Sequence, residues 1–318
     1  MITLIANPSS RSGRGKRLWT SWLSELEDAG GPFDLQESAS REEYEHLAEV
    51  AAEAGHIVTA VGGDGSINAA VCGMMRASKQ KQAPGAADAR LGVLYAGTSP
   101  DFCRFHAIPV GPRHAMATLL RGTTRQIDIA ALTFRSAESG SERHGYFASS
   151  CNIGLGAATA RRANACRRYL GDTLGTCLGL VRAMLTHRPF ACRLLLDGDP
   201  ALEFSHVNHV ILLKNPFIAS GLRLQLPLAP DDGALYAVVI HGYSRLRLLG
   251  LLRSLYRGDW ADLPGVFVRR CMSAAVETLP VQEVEYDGDP QGLTPASMTL
   301  LPRALTVLCD TAQGDDHA

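Results

Sequence analysis

Apolar residues fall in two textures along the 318 residues of the chain. In the first third, short continuous apolar runs alternate with stretches of helical period. "MITLIAN", "HIVTAV" and "RLGVLYA" have the length and continuity of buried strands. Between Gly13 and about Gly30, Leu18, Trp19, Trp22, Leu23 and Leu26 share one helical face. Ser40 and Glu43 form an S-x-x-E capping box at the head of "SREEYEHLAEVAAEAG". Strand and helix alternating in this way predict an α/β domain with a parallel sheet covered on both faces. Ligands in such sheets bind beyond the carboxyl ends of the strands.

From about Arg125 the period shortens. "RQIDIAALTF", "HGYFASSCNI", "ACRLLLDG", "LEFSHVNHVILLK", "LRLQLPL", "GALYAVVIHG", "GVFVRRCMSAAVE" and "PVQEVEYDG" read as strands separated by turn residues. Helical stretches at roughly 160–187 and 244–258 interrupt them. The pattern predicts an α/β domain over 1–124 and a mostly antiparallel, β-sandwich-like domain over 125–310. Residues 311–318, "TAQGDDHA", are expected to be a disordered tail, and "SKQKQAPGAADA" an exposed loop.

Composition removes some classes. The chain is 46% hydrophobic and 20% charged with a formal net charge of −1, so it carries no global basic field of the kind that nucleic-acid binders use. Its eight cysteines (72, 103, 151, 166, 177, 192, 271 and 309) form no C-x-x-C pair, which reads as small core fillers in a reducing compartment. "MITLIANPSS" lacks a basic leader region, and no apolar run reaches the ~18–20 residues of a membrane span. A cytoplasmic protein is expected, peripheral at most to the inner face of a membrane.

Three strand ends carry candidate chemistry. "GGDGS" (Gly62–Ser66) sits between a strand and a helix, where glycines let the backbone approach a phosphate and the helix terminus favours anions. Asp64 beside a phosphate suggests a bridging Mg²⁺. The same residues also make an ordinary tight turn. "GTSPDFCRF" repeats the arrangement after the next strand with Gly97, Thr98 and Asp101, and reads equally as an N-capped loop. "NPSSRSGRG" follows strand one with Asn7, Pro8 and Ser10, either reaching a nucleotide or forming a solvated basic loop. The tetrapeptide DGDP occurs twice, at Asp197–Pro200 and Asp287–Pro290, and Asp-Gly is a strong hairpin-turn signal.

The ordered set "NPSSRSG", "GGDGSIN", "GTSPDFCR", "IDIA", "FASSCNIGLGA", "LKNPFIASG", "APDDGAL" and "YDGDP" resembles the catalytic domain of the diacylglycerol kinase family over roughly residues 1–310. That family includes bacterial soluble lipid kinases and sphingosine and ceramide kinases, and is more distantly similar to NAD kinase. The resemblance implies ATP and Mg²⁺ as cofactors and a lipid hydroxyl at a membrane surface as acceptor. Its G-G-D-G-T motif falls on Gly62–Ser66, and Asn68 also matches. Its G-T-x-N-D-F-x-R motif falls on Gly97–Arg104, with Pro100 in place of Asn, and Tyr95 stands where Pro is usual.

The resemblance further implies that Asn7, Pro8, Ser10, Ser38, Gly62, Gly63, Gly65, Ser66, Gly97 and Thr98 hold the nucleotide. The second DGDP matches the family's L-D-G-E, so that Asp287 would be the general base. Asp64, Asp101 and Asp289 would then surround Mg²⁺. An acid beside phosphates and other acids is expected to hold its proton more tightly than usual. "APDDGAL" resembles a second, structural Mg²⁺ loop, with Asp231, Asp232 and the carbonyl of Leu235 as ligands. Asp197 in the first DGDP is expected to be a turn residue only.

Arginines interleaved with leucines in "ARRANACRRYLGDTLG" and "SRLRLLGLLRSLYRG" suit either a solvated basic face or a peripheral contact with anionic lipid. A homodimer is compatible with the sequence. Two other functions stay open: a kinase for a soluble or unusual hydroxyl compound, and a catalytically weak nucleotide-binding regulatory protein.

Overall fold

In the computed structural model, strands β1 (Ile2–Ala6), β3 (Ile57–Gly62) and β4 (Arg90–Tyr95) are buried along almost their whole length. Such continuous burial is what parallel strands covered on both faces require. The structure describes residues 1–8, 19–22, 33–80, 89–121, 123–159, 179, 182–218, 222–245, 247–248, 250–251, 254 and 260–310. Most of the expected helices at 13–30, 160–187 and 244–258, the 81–88 part of the expected loop and the expected tail lie outside them, while residues 19–22 of the first are helical.

The chain divides into two units. The first comprises Met1–Ile129 with the segment that begins at Pro302; the second comprises Ala130–Ile218 and Leu222–Leu301. In the first, β1 pairs in parallel with β2 (Phe33–Glu37) on one side and with β3 on the other. β3 pairs in parallel with β4. Thr306 and Val307, near the end of β16 (Asp289–Leu308), add a further parallel strand beside β4. Leu4, Trp19, Trp22, Val61, Leu94, Met116, Leu119 and Leu308 form one buried cluster over this sheet. Each large apolar side chain buried in this way contributes roughly 1.5–3 kcal/mol.

Helix α1 (Arg41–Glu53) begins at the expected cap: Ser40 is extended (φ −138°) and accepts from the Glu43 amide. Glu43 reaches back one residue further than the usual box, accepting from Ala39 N at 2.6 Å. Helix α2 (Asp64–Gln80) packs against α1 closely at Gly73, where an added Cβ would lie 2.2 Å from the Glu45 carbonyl oxygen. Helices α3 (Asp101–Phe105) and α4 (Pro112–Arg121) follow β4.

Strand β5 (Thr124–Arg135) leads into the second unit, where Ala130–Arg135 pair with β6 (Glu142–Phe147). The strands β7 (Ser150–Gly154), β8 (Phe190–Leu196), β9 (Leu202–Leu213), β14 (Ser273–Leu279), β15 (Glu283–Tyr286) and the first part of β16 pair antiparallel in a closed circuit. One face runs β9–β7–β15–β16 and the other β9–β8–β14–β16. The long strands β9 and β16 belong to both faces, so each must bend where it passes between them. In β9 the bend coincides with His206, whose φ of 54° is left-handed. A short hairpin of β10 (Phe217–Ile218) and β11 (Leu222–Arg223) follows β9. β12 (Leu235–His241) extends the first face beyond β9, and β13 (Val266–Cys271) lies beside it. Leu213, Leu224, Val238, Leu248 and Trp260 form a buried core against these strands.

Candidate active site

In the first unit the glycine-rich turns after β3 and β4 touch. A Cβ added at Gly97 would lie 2.7 Å from the Gly63 Cα, closer than any side chain permits. Gly62 has a φ of 157°, and an added Cβ there would meet Ser66 Oγ at 2.2 Å. Two separate sequence motifs are therefore brought together backbone to backbone. Ala96 N donates to the Gly62 carbonyl at 2.8 Å, which pins the second turn to the first.

Asp64 is the first residue of α2, with its carboxylate at the positive end of the helix. The Tyr95 hydroxyl donates to Asp64 Oδ2 at 3.3 Å and accepts from Ser99 N at 2.9 Å. Burial, with the Asp64 charge second, pushes the Tyr95 phenol well above its usual range. The same two causes raise the Cys103 thiol, so the Asp64 charge acts on both β4 and α3. Asp101 starts α3; its Oδ2 accepts from Ser99 Oγ at 2.9 Å, and Arg104 lies 3.9 Å from Oδ1. Carboxylates and hydroxyls at two adjoining turns are the hard oxygen donors that Mg²⁺ prefers, so this set fits the ion.

The remaining nucleotide candidates differ in setting. Asn7 and Pro8 are half-buried just past β1, and Thr98 is exposed on its turn. Ser10 lies outside the described residues. Ser38 is buried just after β2 and donates its backbone N–H to Ala6 O. Its Oγ has no hydrogen-bond partner among the described residues. Asn68 is buried too, but its Oδ1 accepts from Arg41 of α1. It serves there as a helix-to-helix tie.

In the second unit, Asp287 has a φ of 46° at the turn between β15 and β16. Its carboxylate accepts three backbone N–H groups at 3.0 Å each, from Ala148, Ser149 and Ser150 at the head of β7. Three donors arranged in this way fix the orientation of the carboxylate. Asp197, in the first DGDP, has a φ of 53°, and its Oδ1 accepts from Met272 N and Ser273 N at 2.8 Å each. The two turns use one local device, a left-handed aspartate whose carboxylate caps the start of a neighbouring strand. What separates them is one further amide donor and the half-burial of Asp287. Of Asp289, only the backbone, at the start of β16, is described.

Behind Asp287 runs a polar network that the motifs did not reveal. Buried Glu285 accepts from Gly288 N at 2.6 Å and from Asn152 Nδ2 at 2.7 Å. Asn152 Oδ1 faces His209 Nε2 at 3.2 Å. Desolvation, with a smaller contribution from His187, pushes His209 down to about 3, so its neutral ring donates to Asn152. Burial and then the charges of Glu285 and Asp287 raise the Cys151 thiol.

The second expected metal loop does not fit a divalent ion. Asp232 Oδ1 accepts from Lys214 Nζ at 2.5 Å. The nearby carbonyls that face a cation belong to Ala229 and Ala234. Leu235, the expected carbonyl ligand, is instead the first residue of β12 and is paired with Cys271. Asp231 is exposed. Among the described residues no three or more His, Cys, Asp or Glu gather as a metal site, so at Asp64 and Asp101 the further ligands of an ion would have to be hydroxyl, water or phosphate oxygens. A lysine closing the apolar run "VILLK" was the available signal, since a buried ammonium must find acceptors.

With the fold and these turns in view, the comparisons agree. Residues 1–132 match the family model described as the diacylglycerol kinase catalytic domain. Residues 149–309 match the YegS C-terminal NAD kinase beta sandwich-like domain. The chain belongs to the diacylglycerol kinase catalytic-domain family. A protein named diacylglycerol kinase from Mycobacterium tuberculosis is 25% identical over 311 residues, 96% of this chain and 94% of that one. The crystal structure of a diacylglycerol kinase from Bacillus anthracis strain Sterne has a TM-score of 0.65 at 16% identity, covering 98% of this chain and 97% of that one. Yeast NADH kinase has a TM-score of 0.55 at 9% identity, over 100% and 89% of the two chains. Family membership supports a phosphotransferase of the lipid-kinase type.

Proposed function

We propose that the protein uses ATP and Mg²⁺ to phosphorylate a hydroxyl of diacylglycerol or a related membrane lipid. The observation that carries this reading is the backbone contact of Gly63 with Gly97, which sets Asp64 and Asp101 at the heads of two helices beside it. Backbone amides at the head of α2 suit phosphate oxygens. Ser38, with a buried hydroxyl that has no partner among the described residues, suits a polar group of the nucleotide. Asp64 and Asp101 would hold Mg²⁺, which when bound neutralises charge on the terminal phosphates.

The lipid oxygen attacks the γ-phosphorus, the bond to the β-phosphate oxygen breaks, and ADP leaves with that electron pair. Asp287 takes the hydroxyl proton. Its three amide donors hold the carboxylate plane fixed before the acceptor arrives. Among the described residues no helix is long and apolar enough to cross a membrane, so the lipid would be met at a surface.

The test is transfer of label from γ-labelled ATP to a total lipid extract, with wild type, Asp64→Asn, Asp287→Asn and Asp197→Asn. Labelled lipid from wild type and Asp197→Asn, at least 100-fold less from the other two, supports the reading. Transfer that survives in Asp287→Asn removes its role as base. Saturable ATP binding with no lipid product redirects the search to a soluble acceptor or a regulatory role.

A further inference from the structure

Lys214 immediately follows β9, and its side chain has no solvent exposure. An ammonium has three N–H donors. Here they meet Asp232 Oδ1 at 2.5 Å, Ala229 O at 2.9 Å and Ala234 O at 3.2 Å. One carboxylate oxygen and two carbonyl oxygens around a positive centre is a hard-cation ligand set. The Asp232 carboxylate also organises the loop, accepting from Ala229 N and Ala234 N at 3.2 Å each. Arg270 adds a second positive group by donating to the Asp232 carbonyl at 2.9 Å.

We infer that Lys214 is the resident cation of this loop: its ammonium takes the place a divalent ion would fill, and the segment 229–234 folds around it without metal. Two positive centres could not share these oxygens, because a divalent ion within 2.5 Å of them would overlap the ammonium and repel it. The arrangement also reaches the Asp287 turn through the backbone. Lys214 N and Asn215 N both donate to Ser149 O, at 2.8 and 3.0 Å, while Ser149 N donates to Asp287 Oδ1. A built-in cation therefore holds one side of the strand head that caps Asp287, whatever the metal concentration.

The experiment follows thermal unfolding of the nucleotide-free full chain in EDTA, in 5 mM Mg²⁺ and in 5 mM Ca²⁺. It compares wild type, Lys214→Met, Lys214→Ala and Asp232→Asn. Both lysine variants should unfold several degrees below wild type in EDTA, because the carboxylate and carbonyls lose their cation. Lys214→Ala, which opens space among the same oxygens, should recover part of that loss with Ca²⁺ or Mg²⁺. Wild type and Asp232→Asn should respond to either ion equally, since any response then arises elsewhere. A metal-induced rise in wild type that Asp232→Asn abolishes would overturn the inference, as would Lys214→Met unfolding at the wild-type temperature in EDTA. If the lysine variants do not fold, the comparison of wild type with Asp232→Asn still decides.

Discussion

At the residue scale, the two DGDP aspartates turn a sequence identity into a controlled comparison. At Asp197 both amides reach Oδ1, so an asparagine can keep both bonds with its single carbonyl oxygen. At Asp287 the amides divide between Oδ1 and Oδ2, so an asparagine must turn its NH₂ toward at least one N–H. Urea denaturation should therefore place Asp287→Asn about 1–3 kcal/mol below wild type. Asp197→Asn should fall within about 1 kcal/mol, because its site is solvent-screened. Equal losses would show that the split of donors does not matter. Desolvation raises the Asp197 carboxyl, but the Ser273 and Met272 amides outweigh it and the net shift is downward. Its stabilisation is present above the unfolded-state value and is lost as pH falls through the lower folded-state one.

His209 shows the same linkage in a base. Its value of about 3 lies below the ordinary 6.5, so the unfolded chain takes up a proton that the folded chain refuses. Stability is complete above about pH 6.5 and falls toward pH 3. Between pH 7.5 and 5 wild type should lose up to about 2 kcal/mol more than His209→Gln, measured by denaturant midpoints at both pH values. Parallel midpoint shifts in the two proteins would place the titration elsewhere.

At the scale of elements, glycine contacts do different work in different places. Gly97→Ala drives a methyl group against the Gly63 Cα and the Tyr95 hydroxyl, forcing the two turns apart. ATP affinity, measured by calorimetry, should fall at least tenfold with only a small change in melting temperature. Gly73→Ala drives a methyl group into the Glu45 carbonyl between α1 and α2. It should cost about 1–3 kcal/mol of stability while leaving ATP affinity of the folded protein near wild type. The opposite pattern would mean that the Gly63–Gly97 contact is architectural and that the nucleotide lies elsewhere. The capping box at Ser40 and the glycine-rich strand ends were legible because their signals are local. The closeness of the Gly63 and Gly97 turns was not, since it depends on β3 and β4 being neighbours.

At the scale of the whole molecule, the chain does not divide as its texture suggests. The β-rich domain, with its two helical interruptions, is expected from the sequence to extend to residue 310, yet β16 changes unit near Pro302, and Thr306 and Val307 pair with β4. Leu308 belongs to the core cluster of the first unit. A chain ending at Leu301 should therefore lose the first unit's fold, and limited proteolysis should degrade residues 1–129 before 130–301. A resistant first unit would show that the returning strand is dispensable. The antiparallel character of the second unit was legible from alternating strands and Asp-Gly turns. Its closure into two faces sharing β9 and β16 was not, because strand order is a matter of long-range pairing.

Local chemistry in the sequence determined the elements and the order of the motifs. Periodicity, caps and turn residues act over a few positions, and the ordered motifs were enough to indicate the family. The tertiary structure decided what each charged group faces. Asp197 and Asp287 read as different residues by motif, but they share a geometry because each turn lies beside the head of another strand. Asp232 resembled a metal ligand until folding brought Lys214, 18 positions away in the chain, within 2.5 Å. A charge is defined by its neighbours across the fold, and a linear pattern does not contain them.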